Sequence, residues 1–198
     1  MKPDEVLEFW FGRQADDLAV AREKNTLWFG GDAAADDLIR KRFGELREHA
    51  VRGELVDWER SAQGSLGLIL LVDQFSRNIH RGKPAAFQYD QLARGWARRL
   101  IGGGGYARLR PIQRLFVCLP LEHSENIADQ QQSVALLEQL VRDVPKVQHR
   151  IFEEYADYAR HHRDVVARYG RFPHRNKILG RESTAEEIEF LKLPNSSF

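Results

Sequence analysis

The sequence predicts an all-α domain, and three observations carry that reading. Apolar residues recur at a helical period, and no run alternates apolar and polar residues as a strand would. Prolines, glycines and capping residues divide the chain into about eight or nine helical segments joined by short loops. One segment is apolar on nearly every side and belongs in the middle of a helical domain.

Pro3, Asp4 and Glu5 open the first segment, because proline tolerates the first helical turn and acids suit its positive end. Gly12 closes it, and Val6, Leu7, Trp10 and Phe11 form its stripe. A less regular helix over 14–29 ends in Trp28-Phe29-Gly30-Gly31. Asp32 caps a third, whose apolar face runs through Ala35, Leu38, Ile39, Phe43, Leu46 and Ala50, with the stem of Arg42. Ser61 caps the core segment, which contains Leu66 to Val72. Pro84 starts a helix with Ala85, Tyr89, Leu92, Trp96 and Leu100 inward, and Gly102 to Gly105 stop it. Those glycines lack the preceding strand and Lys-Ser/Thr pair of a phosphate loop.

Pro111 opens a short helix that Pro120 kinks or ends. Helices over 126–142 and 146–169 flank Pro145, the second with its stripe at Val147, Ile151, Tyr155, Tyr158, His162, Val165 and Tyr169. Ser183 and Glu186 form a capping box for a last helix with Ile188 and Leu191 inward. The expected architecture is a single all-helical domain over 1–198, an antiparallel α-hairpin array or irregular bundle.

Charge and cysteine usage narrow the function classes. Thirty lysines and arginines against 29 acids leave a net charge of +1, without the basic excess of a nucleic-acid binder. Cys118, the one cysteine, sits in an apolar setting and reads as a packed, inert thiol. The N-terminus carries acids where a signal peptide carries lysines, and Leu66 to Val72 falls far short of the ~20 residues that cross a bilayer. A cytoplasmic protein with no membrane or nucleic-acid partner is expected. No Glu-x-x-His, His-Asp or His-Glu-x-x-His occurs, so no metal or cofactor is expected.

Three polar clusters are candidates for chemistry. Asp73 ends the apolar run, with Arg77 one turn on and Asn78 beside it; a buried carboxylate needs such a partner, as a structural ion pair or as an oriented site acid. In Leu121 to Asn126, Ser124, Glu125 and Asn126 suit a helix start, which leaves Glu122 and His123 as structural groups or as equipment for proton transfer. Between 160 and 181, seven lysines and arginines face one acid, Asp164. His162 lies there on an apolar stripe and Arg163 beside it, while Arg171, His174, Arg175 and Asn176 sit on a loop stiffened by Pro173. Such a fork suits a carboxylate or phosphate, or supplies internal partners to Asp36, Asp73, Glu122 and Glu125.

Phe9-Trp10-Phe11-Gly12, Trp28-Phe29, Asp73-Gln74-Phe75-x-Arg77-Asn78, Leu119 to Glu125 and Gly170 to Asn176 occur in that order. Together they resemble the bacterial family of domain of unknown function 924, from about residue 4 to the terminal Ser196-Ser197-Phe198. Ser76 stands where that family usually has proline, and Ala35 where it usually has phenylalanine. The resemblance implies a tetratricopeptide-like superhelix. It implies no settled activity, substrate or cofactor, so no catalytic residue is carried over. The matched blocks contain all three polar clusters, which are expected to meet around one concave, partly buried site.

Two functions are open. In a binding module, Arg77, Asn78, His162, Arg163, Arg171, His174, Arg175 and Asn176 would hold an anionic small molecule or peptide end. In a hydrolase-like enzyme, Asp73, Glu122 or His123 would act as acid or base. A third reading makes the polar groups a core clamp and leaves function to partner surfaces.

Overall fold

The caps and apolar stripes of the sequence become helices in the computed structural model, which describes residues 1–197; Phe198, the last residue of the resemblance, lies outside them. The α-helical segments are α1 (Pro3–Phe11), α2 (Asp17–Phe29), α3 (Ala33–Val51), α4 (Ala62–Ile69), α5 (Phe75–Ile79), α6 (Asp90–Gly102), α7 (Pro111–Glu122), α8 (Ile127–Asp143), α9 (His149–Tyr169) and α10 (Ala185–Phe190). A π turn over Leu70–Gln74 joins α4 to α5, so these segments make nine helices among the described residues, with no strand. No helix there is long and apolar enough to cross a membrane.

The α4–α5 helix is the axis of the fold. Leu66 and Leu68 to Val72 are buried, and α1, α6 and α7 pack around them. Trp10, Phe75, Phe116 and Trp28 stack in tilted and edge contacts at 4.8–6.3 Å between ring centroids. From α6 onward each helix packs on its successor, α6 on α7, α7 on α8 and α8 on α9, as in a hairpin array. The N-terminal half departs from that order, with α1 on α4 and α3 on α5.

Several local expectations shift. Leu38 is 51% exposed and Ile188 48%, so neither belongs to its expected stripe. Pro84–Ala86 forms only a 3-10 turn, and the helix proper starts at Asp90. Pro120 does not stop α7, which runs on to Glu122 although proline removes the N–H that the Phe116 carbonyl would accept. On α9 the buried line is Phe152, Ala156, Ala159, His162, Val165 and Val166. Two of these are alanines, on a helix that packs closely against α8, and Val147 is left 74% exposed. The last capping box forms one residue later than expected: Thr184 accepts from the Glu187 N–H at 3.2 Å, and Glu187 accepts from the Thr184 N–H at 2.8 Å.

That one-residue shift turns Glu187 inward. Arg171 donates to both its oxygens, at 2.6 and 2.7 Å, and Asn176 donates to one at 3.2 Å. The loop after α9 is thereby tied to α10. Glu187→Ala leaves Arg171 and Asn176 without their carboxylate and is expected to cost about 2–3 kcal/mol, read as a lowered urea midpoint.

Candidate functional site

A cavity of about 350 Å³ opens beside the axis helix, between α5, the end of α7, α9 and the loop after α9. This is within the size of small-molecule sites, about 300–1,000 Å³. Much of its wall is apolar or aromatic, with Trp28, Phe29, Phe87, Leu115, Leu119 and Tyr155 among the residues. Of the residues singled out from the sequence, Arg77, Asn78, Glu122, His123, His162, His174 and Arg175 line it. Asp73 lies directly behind.

The π turn sets that arrangement. The Phe75 N–H bonds the Leu70 carbonyl, five residues back instead of four, and the wider turn carries Asp73 into the interior at 0% exposure. Its carboxylate takes Nδ1 of His123 at 2.9 Å, Nε2 of Gln74 at 2.7 Å and Nη1 of Arg77 at 3.2 Å. Burial works against this charge, but Arg77 and His123 outweigh it and hold the carboxyl well below its usual range. Arg77 also forks onto Asp90, with two bonds of 3.0 Å. Burial and the Arg77 charge outweigh Asp73 at His123 and keep that imidazole below its ordinary 6.5. An ionised carboxylate can only accept, so the neutral ring carries its proton on Nδ1 and its lone pair on Nε2.

Glu122 behaves in the opposite way. It is buried with no cation beside it, and burial, then the Asp73 charge, push its carboxyl up to about 8. It is a neutral acid at pH 7. His162 Nδ1 lies 3.4 Å from its Oε1 and donates to the Tyr158 carbonyl at 2.9 Å. Burial also holds His162 well below 6.5 and His174 down at about 4. Neighbouring acid and base groups are thus set in opposite states, acid protonated and imidazoles neutral.

The loop after α9 begins at Gly170, whose φ of 68° suits the left-handed end of a helix. Glu125 pins it, accepting from the Phe172 N–H at 2.8 Å and from both Arg181 end nitrogens at 2.7 and 2.9 Å. The basic segment then divides. Arg163 pairs with Asp164, Arg168 with Glu186 and Arg171 with Glu187, while Asn176 is buried on Ser183 and Glu187. Arg163, Arg171 and Asn176 stand outside the cavity wall, and their donors go to carboxylates and a hydroxyl of the chain. Arg175 differs. It is 7% exposed and stacks 4.4 Å from the Phe172 ring centroid and 4.9 Å from that of Phe87. Among the described residues its side chain makes one hydrogen bond, to the His123 carbonyl at 2.9 Å, and its buried Nε has no partner there. Burial and Arg77 lower its pKa to about 10.

Asp90, Gln74, Phe87 and Tyr155 were not singled out from the sequence. Asp90 reads there as an ordinary first-turn acid, and only the 13-residue return to Arg77 gives it a role. The Tyr155 hydroxyl is buried beside the cavity without a partner among the described residues, and burial pushes it up to about 12. Among the described residues, no three His, Cys, Asp or Glu side chains gather as metal ligands.

Two measurements test this geometry. Nitrogen NMR of His123 at pH 7 is expected to find the proton on Nδ1, and a proton on Nε2 contradicts the Asp73 bond. The second concerns Glu122, which keeps a proton when folded that it releases when unfolded, between 4.5 and about 8, so it removes stability as pH rises through that window. Histidines 80, 123, 162 and 174, held below 6.5, act the other way and add stability as pH rises to 6.5. The carboxyl contribution therefore stands alone from 6.5 to 8. Urea unfolding over that range should lose up to about 1.4 kcal/mol per pH unit in the natural protein and stay level in Glu122→Gln.

Comparison with known proteins places the chain. No curated protein matches it. A solved structure, the protein of unknown function ATU0120 from Agrobacterium tumefaciens, is 37% identical, covers 96% of each chain and superposes with a TM-score of 0.80. Residues 6–195 match the family described as bacterial protein of unknown function (DUF924). The chain belongs to the bacterial DUF924 family.

Proposed function

We propose that this chain is a cytoplasmic, tetratricopeptide-like binding module for a small ligand that joins one anionic group to an apolar body, with Arg175 holding the anion. The observation that carries the reading is the state of Arg175. It is buried, bonded only to a neutral carbonyl, and has no carboxylate partner among the described residues. Its neighbours Arg77, Arg81, Arg171 and Arg181 each hold one. A guanidinium taken out of water gains most from a carboxylate or phosphate that can meet its fork.

The surrounding charges limit how much anion it takes. Arg77 is shared by Asp73 and Asp90, so these two carboxylates balance the two guanidiniums Arg77 and Arg175. Glu122 is protonated, and burial keeps His123, His162 and His174 from charging. One added negative charge meets Arg175, whereas a polyphosphate would face Asp73 and Asp90 as well. The walls at Trp28, Phe87, Leu115 and Leu119 suit a planar or aliphatic body.

Thermal shift tests the reading with phenylacetate and benzoate against inorganic phosphate and a nucleoside triphosphate. The aromatic carboxylates are expected to raise the melting temperature, by about 2.7 kcal/mol of added stability at a hundred times Kd. Arg175→Met should melt within a few degrees of the natural protein, since removing a desolvated cation offsets the lost bond, and should show no ligand shift. A variant that responds as the natural protein does removes Arg175 from the site. Silence toward every aromatic carboxylate overturns the reading.

A further inference from the structure

The cavity that would hold an anion also brings together a base and an acid that a binding site does not need. His123 follows Glu122 at the end of α7, and both line the wall. The His123 ring is fixed by the 2.9 Å bond to Asp73, which is itself held by Gln74 and Arg77. That bond occupies Nδ1 and leaves the Nε2 lone pair available at the cavity. His123 connects to Arg175 through its own carbonyl, so base and anion anchor share one residue. No Ser, Thr, Cys or Lys is among the described residues of the wall. An acid beside a base in one cavity is the equipment for moving protons.

We infer that the site catalyses proton transfer at a carbon next to a carbonyl, on a 2-oxo carboxylate whose carboxylate rests on Arg175, with His123 as base and Glu122 as acid. The inference rests on the binding reading above. His123 Nε2 takes the proton from the carbon beside the carbonyl, and the C–H pair becomes a C=C bond. The carbonyl π pair moves to oxygen, which takes the proton from Glu122. The products are an enol, an imidazolium and a carboxylate, so the net charge of the site is unchanged. Reversal returns a proton to carbon and another to Glu122, so the protein is restored and nothing is oxidised or reduced. Asp73 is a positioning residue, since it keeps the imidazole in the tautomer that presents Nε2. The neutral state of Glu122 at pH 7 agrees with a proton donor.

The test uses phenylpyruvate, which combines one carboxylate, an aromatic body and an acidic methylene. The full chain in D2O is expected to raise its melting temperature with the probe and to speed deuterium entry into the methylene, followed by proton NMR. His123→Gln and Glu122→Gln should keep the thermal shift and lose exchange by at least about a hundredfold. Asp73→Asn should lower exchange and alter its pH profile, a change that simple loosening of the core does not produce. A thermal shift without exchange above the free-solution rate overturns proton transfer and leaves binding intact, as does exchange that His123→Gln leaves unchanged. If phenylpyruvate gives neither shift nor exchange, this inference falls, and the binding reading falls with it only where phenylacetate and benzoate are silent too.

Discussion

A carboxylate with no exposed surface organises this molecule. Asp73 lies in the middle of the most apolar helix, where an unpaired charge costs several kcal/mol, so its surroundings must supply donors. Gln74 comes from the same turn, Arg77 from the next, and His123 from the far end of α7. Arg77 then needs a second carboxylate and finds it in Asp90, at the start of α6. One buried charge thus fixes the relative placement of three helices and the tautomer of the histidine that faces the cavity. The π turn is what puts Asp73 there, and its wide i+5 bond is a local irregularity of the kind that recurs at functional sites.

The sequence made the helix class, the core segment and the Asp73–Arg77 pair legible, because each depends on spacing within one helix. What failed depends on choices between equivalent local patterns. Ser183-Thr184-Ala185-Glu186-Glu187 contains two overlapping capping boxes, and only the contacts to Arg171 and Asn176 select the second. On α9, the tyrosines and valines suggested one stripe, while Phe152, Ala156 and Ala159 formed another at the same period. The wider aromatic residues went to the cavity and the small ones to the buried line. Arg171 and Arg175 are four residues apart in one loop and alike in sequence context. Their difference is whether a carboxylate sixteen residues on reaches the side chain, which no local pattern encodes.

The loop after α9 holds two kinds of polar structure with opposite energetics. Arg181 on Glu125, and Arg171 with Asn176 on Glu187, are closed networks whose donors and acceptors meet, and they fasten the loop. Glu187, which the sequence did not single out as a partner of the basic loop, takes Arg171 and Asn176. Arg175 is carried by the loop they fasten, yet it contributes little that a methionine packed between Phe172 and Phe87 would not. Burial and Arg77 lower its pKa toward 10, an electrostatic cost that Asp90, Glu125 and Asp73 offset only in part.

The same asymmetry runs through the rest of the wall. Glu122 could be replaced by glutamine or leucine with a gain in stability above neutral pH, because an acid pushed to about 8 is being kept from its preferred charge. His162, His174 and His123 are likewise held from protonating. At Glu122 folding would be served as well by a neutral residue of the same shape, whereas His123 is also a donor to the buried Asp73. Local rules are broken at the cavity by Arg175, Glu122 and the neutral imidazoles, groups of the types that bind an anion and move a proton. A clamp would discharge such groups against one another. Here Asp73 and Asp90 take up Arg77 and leave a cation, a neutral acid and an oriented imidazole lone pair around a common space, and that space is the size of a small molecule.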